Sequence, residues 1–425
     1  MPEEMEKVIQ NAGINFHLVK TDKYKTNTIV LKVKAPLTKE DATVRALLPN
    51  VLQSGTNTYQ TATELRSYLE NLYGATLNGD LQKKGEYHVI SISMEIANEK
   101  FLTNSEPLLD SGLTLLAEVL FHPKLVNGVF DEEIVTKEKR TLKSRIQAVY
   151  DDKMRYANLR LVEEMCKNEP YSVPVNGNLD DVDGITSQQL FEYYQKVLAE
   201  DEFDLYIVGD IDEQQVVEIC KEKFQLKART PKEVAKGTED TNKQENVVIE
   251  RQDVAQGKLN IGLRTNVKYG EDEYFALQVF NGLFGGFPHS KLFMNVREKE
   301  SLAYYAASRL ESHKGLMMVM TGIETKNYEK AVTIIKNQLS AMKNGDFTDQ
   351  ELDQTKAVIQ NQMLETLDTS RGLVEILYHN VISRKQVTDK LWQEKINQVS
   401  KEEIVQVGNK IQWDTVYFLS GMEGK

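Results

Sequence analysis

The chain has 425 residues, 40% of them hydrophobic and 27% charged, enough for two or more domains around a large core. Its net charge of -12 argues against nucleic acid, whose phosphates require a basic face. No run approaches the roughly eighteen apolar residues of a membrane span, and the acidic start MPEEMEKVIQ lacks the pattern of a secretory signal.

Taken in chain order, TIVLKVKAP reads as a strand, followed by an acidic loop and the apolar segment DATVRALLPNVLQSGT, Asp41–Thr56. That segment has Leu47, Leu48, Val51 and Leu52 at the spacing of a buried helical face and ends at a glycine turn. Pro49 removes a backbone donor and is expected to bend or break the helix. EYHVISISMEI is a second strand. The acidic groups Asp131-Glu132-Glu133 and Asp151-Asp152 suit helix starts, where the helix dipole favours negative charge. Cys166 falls in an amphipathic stretch and Cys220 lies far from it. Neither has redox or metal-ligand spacing, so both read as packing, and the chain reads as cytoplasmic. ITSQQLFEYYQKVLAEDEFDLYIVGDI opens on a capping box, Thr186 with Gln189, and closes in a strand ending at Gly209.

A polar break, RTPKEVAKGTEDTNKQEN, then divides the chain nearly in half. Shifting the sequence by 231 residues lays TIVLKVKAPLTKEDATVRALLPNVLQSGT on GKLNIGLRTNVKYGEDEYFALQVFNGLFG with little slippage. Gly55 then pairs with Gly286, Arg66 with Arg297 and Tyr73 with Tyr304. The two ends also match, and the second opens on Ser400 with Glu403 and closes at Gly421. The expected fold is α+β: two homologous α/β-sandwich domains, each a mostly antiparallel sheet packed with helices. Residues 1–228 and 246–425 form the domains, and 229–245 the linker.

LFGGFPHSKLFMNVREKESLAYY, EPYSVPVNGNLDDVDGITSQQLFEYYQK and FDEEIVTKEKR together resemble the insulinase/pitrilysin family of zinc peptidases, which includes the mitochondrial processing peptidases. The resemblance covers most of the chain. It implies a catalytic helix bearing H-x-x-E-H shortly before a G-T pair, two histidines binding zinc and the glutamate activating water. Anchored on Gly55-Thr56, those three positions fall on Ala46, Pro49 and Asn50, and the third ligand, seven residues past Glu138, falls on Arg145. None can ligate zinc in the required way. The histidines offer no other register, because the closest two, His289 and His313, stand 24 residues apart.

The resemblance also implies an arginine and a tyrosine that hold substrate near the metal, and these fall on Arg297 and Tyr304. The alternative for the same residues is a surface ion pair of Arg297 with Glu298 or Glu300, and a buried strand beginning at Tyr304. The glycines 282, 285 and 286 lack the spacing of a nucleotide loop and read as a close passage of backbones, with His289 beside them not catalytic.

The resemblance is to those family members that lack the metal motif and accompany a zinc-bearing relative. It implies a non-catalytic, peptide-binding subunit, paired with a zinc-motif-bearing homologous chain or with a copy of itself, that takes an unfolded peptide substrate. No cofactor of its own is expected, zinc belonging to the partner. The alternatives are a scaffold of the kind found in respiratory complexes, without substrate contact, and a zinc peptidase with a non-standard site.

Overall fold

The computed structural model describes residues 6–103, 106–232, 234 and 244–422. Most of the linker 229–245 lies outside the described residues. The described chain divides into two compact units, one within 1–148 and 173–236, the other within 149–172 and 237–425. A segment that precedes the linker, Val149–Ser172, thus belongs to the unit built from residues that follow it.

In the first unit the strands are β1 (Lys7–Asn11), β2 (Ile14–Lys20), β3 (Thr26–Pro36), β4 (Thr76–Lys84), β5 (Tyr87–Ala97), the short pair β6 (Leu125–Val126) and β7 (Val129–Phe130), and β8 (Glu202–Gly209). Six of them form one sheet in the order β1-β2-β8-β3-β5-β4. Only β2 and β8 run parallel; the other neighbours are antiparallel. Side chains alternate across the sheet, so Ile29, Leu31 and Val33 of β3 and Phe203, Leu205 and Ile207 of β8 share the core face beneath the helices.

The second unit holds β9 (Asn246–Arg251), β10 (Gly257–Arg264), β11 (Ala303–Glu311), β12 (Leu316–Ile323) and β13 (Gln412–Ser420), in the order β11-β12-β10-β13-β9. Here only β13 and β9 are parallel. Read from the other end, β9-β13-β10-β12-β11 reproduces β2-β8-β3-β5-β4 in order and direction. The two sheets are therefore copies of one topology, and β1 is an addition to the first.

The second sheet is covered on both faces. Leu259, Ile261 and Leu263 face one core, while Leu316, Met318, Tyr417 and Leu419 face Tyr156, Leu161 and Met165 of the helix Lys153–Met165. That helix comes close because β10 has no side chain at Gly262, where a Cβ would stand 2.4 Å from Met165 Sδ. A buried ion cluster fixes the end of the same segment. Arg264 Nη2 lies 2.6 Å from Glu169 Oε1, its Nε 2.7 Å from Asp414 Oδ2, and Lys314 Nζ 2.6 Å from Glu169 Oε2.

Both capping boxes read from the sequence form, at Thr186/Gln189 and Ser400/Glu403. Asp152 caps Lys153–Met165 by accepting from Met154 N and Arg155 N. Cys166 and Cys220 are buried in separate apolar clusters.

Candidate functional site

The segment that would carry the metal is the helix Lys39–Leu52, capped by the Thr38 hydroxyl, which accepts from Asp41 N. It runs unbroken through Pro49, against the expectation of a bend or break. Pro49 forfeits the hydrogen bond that an N–H there would make to the Arg45 carbonyl, and burial of the helix's apolar face holds the turn helical in spite of it. Leu47, Leu48, Val51 and Leu52 are all buried in the core, and each contributes on the order of 1.5–3 kcal/mol by leaving water.

What the helix presents at the ligand positions is chemically mute. Ala46 is fully buried and offers a methyl group, and Pro49 is buried and offers a ring. Asn50 carries a buried amide nitrogen with no hydrogen-bond partner among the described residues. Arg145 is half-buried on the helix Glu132–Asp151. A methyl, a pyrrolidine, an amide and a guanidinium do not fit a dication; the last would repel one.

Next to these positions the framework persists. Glu138 is buried about two turns before Arg145, and its Oε1 lies 3.0 Å from Ser54 Oγ just past the end of the helix Lys39–Leu52. Ser54 Oγ is also 2.9 Å from Asn50 O. The carboxylate now ties two helices together, a contact that sequence spacing alone could not supply.

In the second unit, the counterpart of the Lys39–Leu52 helix is Tyr274–Asn281, extended by a π-helical turn, Gly282–Gly286. Gly285 passes against β11, where a Cβ would stand 2.7 Å from Ser308 N, so the glycines serve close backbone approach. His289 accepts or donates through Nε2 at 2.8 Å from Thr355 Oγ1 and stacks on Phe287; burial holds its pKa below the usual range.

A second π-helical stretch, Phe293–Lys299, carries Arg297, whose guanidinium lies 4.5 Å from the Phe293 ring centroid. Its Nε is 3.7 Å from Glu298 Oε1, a loose surface pair, while Glu300 pairs instead with Lys330 at 2.7 Å. Tyr304 lies on β11, the edge strand of the sheet, beside a register shift between Ala303 and Ala306. It is 82% exposed, the opposite of a buried strand start. The bulge frees one residue from strand pairing at the place where the phenol projects.

Sequence reasoning missed one pair altogether. His313 Nε2 and His379 Nδ1, 66 residues apart, meet at 2.6 Å and stack against Tyr269. His379 lines a cavity of about 380 Å³ with Asn281, Ser308 and Gln362. No short spacing announces a contact between a hairpin turn and a distant helix. Among the described residues, no three side chains of histidine, cysteine, aspartate or glutamate converge as a metal site would need, and no helix is long and apolar enough to cross a membrane.

Comparison with known proteins places these features. Residues 184–359 match the family model described as the peptidase M16 inactive domain. The chain is 55% identical over 415 residues to the probable inactive metalloprotease YmfF of Bacillus subtilis, covering 98% of this chain and 97% of that one. The crystal structure of a conserved protein from Enterococcus faecalis superposes with a TM-score of 0.92 at 35% identity, over 99% of this chain and 100% of the other. A peptidase M16 inactive domain from Pseudomonas fluorescens shares the fold alone, with a TM-score of 0.81 at 16% identity over 98% of each chain. The chain belongs to the insulinase/pitrilysin (M16) family of zinc peptidases, among the members that have lost the metal-binding helix motif.

Proposed function

We propose that this chain is the non-catalytic, peptide-binding subunit of a two-chain zinc peptidase, and that it contributes Arg297 and Tyr304 to an active site whose metal is held by a homologous partner. The observation that carries this reading is the exposure of Tyr304 on a bulged edge strand. A tyrosine kept for packing would be covered; this one reaches solvent with its hydroxyl available to donate toward an oxygen on which charge develops. Arg297, held only loosely by Glu298, has a fork of donors for a peptide carbonyl. Among the described residues β11 ends the sheet, and an extended, unfolded peptide can add to it as a further strand. The positions on the helix Lys39–Leu52 do not fit zinc, so no step of hydrolysis is assigned to them.

The test is to mix the purified chain with a zinc-motif-bearing relative and follow peptide cleavage. Arg297→Ala and Tyr304→Phe should each lower kcat/KM of the mixture by about tenfold or more while leaving association of the chains intact. Unchanged kcat/KM in both variants would reject the role given to these residues and favour a scaffold without substrate contact.

A further inference from the structure

The cavity that His379 lines has no part in the role given to Arg297 and Tyr304, neither of which borders it. It holds about 380 Å³, toward the lower end of the volumes that take small ligands. It lies wholly within the second unit, bordered by β11, the helix Tyr274–Asn281 and the helices Asp349–Leu367 and Ser370–Ser383. Tyr269, Phe287 and Trp392 give its wall aromatic rings, while Asn281 and Gln362 give it amides. Asn281 Oδ1 accepts from Ser308 Oγ at 2.8 Å, which leaves the amide N–H groups to donate. Gly286 keeps the space beside them open, since a Cβ there would stand 3.1 Å from Asn281 Nδ2.

The charge of the wall sets it apart from the rest of the molecule. The chain has 64 aspartates and glutamates and a net charge of -12, yet neither residue type lines this cavity, nor does lysine. Arg309 borders it, with its guanidinium drawn to Glu311 at 3.5 Å. His379 is therefore the wall group whose charge can change near neutral pH. Its Nδ1 meets His313 Nε2 at 2.6 Å, one ring donating to the lone pair of the other. Such a bond survives one added proton, as an imidazolium on an imidazole, but not two. The pair can thus carry a single positive charge without rearranging. Tyr269 lies against both rings, and burial pushes its pKa up to about 12, so it stays neutral. The charged groups on the surrounding elements are matched elsewhere: Glu311 by Arg309, Lys314 by Glu169 and Glu273 by Lys410. Glu375 stands one turn before His379 on the same helix and is not part of the wall.

The geometry points to this cavity as a binding site for a small aromatic monocarboxylate, its ring against Tyr269, Phe287 and Trp392 and its carboxylate beside His379, accepting from the amides of Asn281 and Gln362. Protonation of the histidine pair and binding of the anion then favour one another, because each charge finds its partner in the other. An amine of the same shape meets no carboxylate in the wall, and a neutral amide does nothing for the added proton.

Trp413→Phe leaves Trp392, in the cavity wall, as the only tryptophan of the full chain. Phenylacetate should change the fluorescence of this variant saturably, and calorimetry on the unaltered chain should return the same Kd. Phenethylamine and 2-phenylacetamide, which keep the ring but not the negative charge, should bind about fivefold more weakly or worse. Between pH 8 and pH 6, where phenylacetate stays ionised, its Kd should fall about threefold or more. His313→Gln combined with His379→Gln leaves hydrogen-bonding amides in place of the proton carriers and should flatten that dependence. Gln362→Phe, at an exposed position on the rim, should block entry, with circular dichroism and thermal unfolding reporting an intact fold. Absence of saturable binding, equal binding of the three probes, or an unchanged pH dependence in the double glutamine variant would each overturn the proposal. A folded Gln362→Phe chain that binds phenylacetate as before would overturn it too.

Discussion

Glu169 offers a direct test of how the segment 149–172 is held in the second unit. Its carboxylate is buried between Arg264 and Lys314, each at 2.6 Å, and Arg264 has Asp414 as its other partner. Burial alone would raise the Glu169 pKa; hydrogen bonds from Arg264 and Lys314 outweigh it and hold the group below the usual carboxylate range. Glu169→Ala removes the shared acceptor and leaves two buried cations with one carboxylate. Breaking a buried ion pair on one side costs roughly 3–5 kcal/mol, because the stranded charge keeps its desolvation penalty. In a unit of this size that corresponds to a fall in Tm of roughly 6–20 °C for the transition that includes the second sheet. The control is Glu273→Ala, which removes the exposed pair with Lys410 and should cost at most about 1 kcal/mol. Thermal and urea unfolding of the three proteins decide it. A Glu169→Ala protein no less stable than Glu273→Ala would show that the cluster does not hold the segment.

His17 provides a pH dependence in the first unit. Burial pushes its pKa down, but hydrogen bonds to Asp204 and Glu6 outweigh that and raise it to about 9 from 6.5. A raised folded value means the stabilisation is complete below pH 6.5 and is lost as pH climbs through 9, about 3 kcal/mol in all. Urea midpoints should fall over that window, and His17→Gln should flatten the slope. Gly285→Ala would place a Cβ 2.7 Å from Ser308 N on β11 and should destabilise by roughly 1–3 kcal/mol in the same assay; a neutral result would remove the close-approach explanation for this glycine. Elemental analysis of the isolated chain, after chelation and exposure to zinc, should find well under one zinc per chain, and stoichiometric retention would refute the account of Ala46, Pro49, Asn50 and Arg145.

Much of this architecture is legible in the sequence because its signals are local. Capping boxes, the apolar spacing of Leu47, Leu48, Val51 and Leu52, and the 231-residue repeat each express a short-range rule, and the two sheets repeat one strand order. The missing histidine pair is legible for the same reason, since helical ligands must lie four residues apart. Long-range information is not. The amphipathic helix Lys153–Met165 announces that it needs an apolar partner but not that the partner is the second sheet. The meeting of His313 with His379 and of Glu138 with Ser54 depends on tertiary packing that no spacing encodes. Pro49 shows a local rule overridden by tertiary packing, since the helix stays continuous with the proline buried inside it. Tyr304 required the edge-strand context before its exposure could be seen.

Under the proposed function, hydrolysis requires a metal brought by another chain. The most direct measurement follows cleavage of an unfolded peptide by the rigorously purified chain, by its zinc-motif-bearing relative, and by the two mixed, each with and without chelator. The lone chain should show no cleavage, and the mixture should show chelator-sensitive cleavage that exceeds the relative alone and falls with Arg297→Ala. Chelator-sensitive cleavage by the lone chain would contradict it.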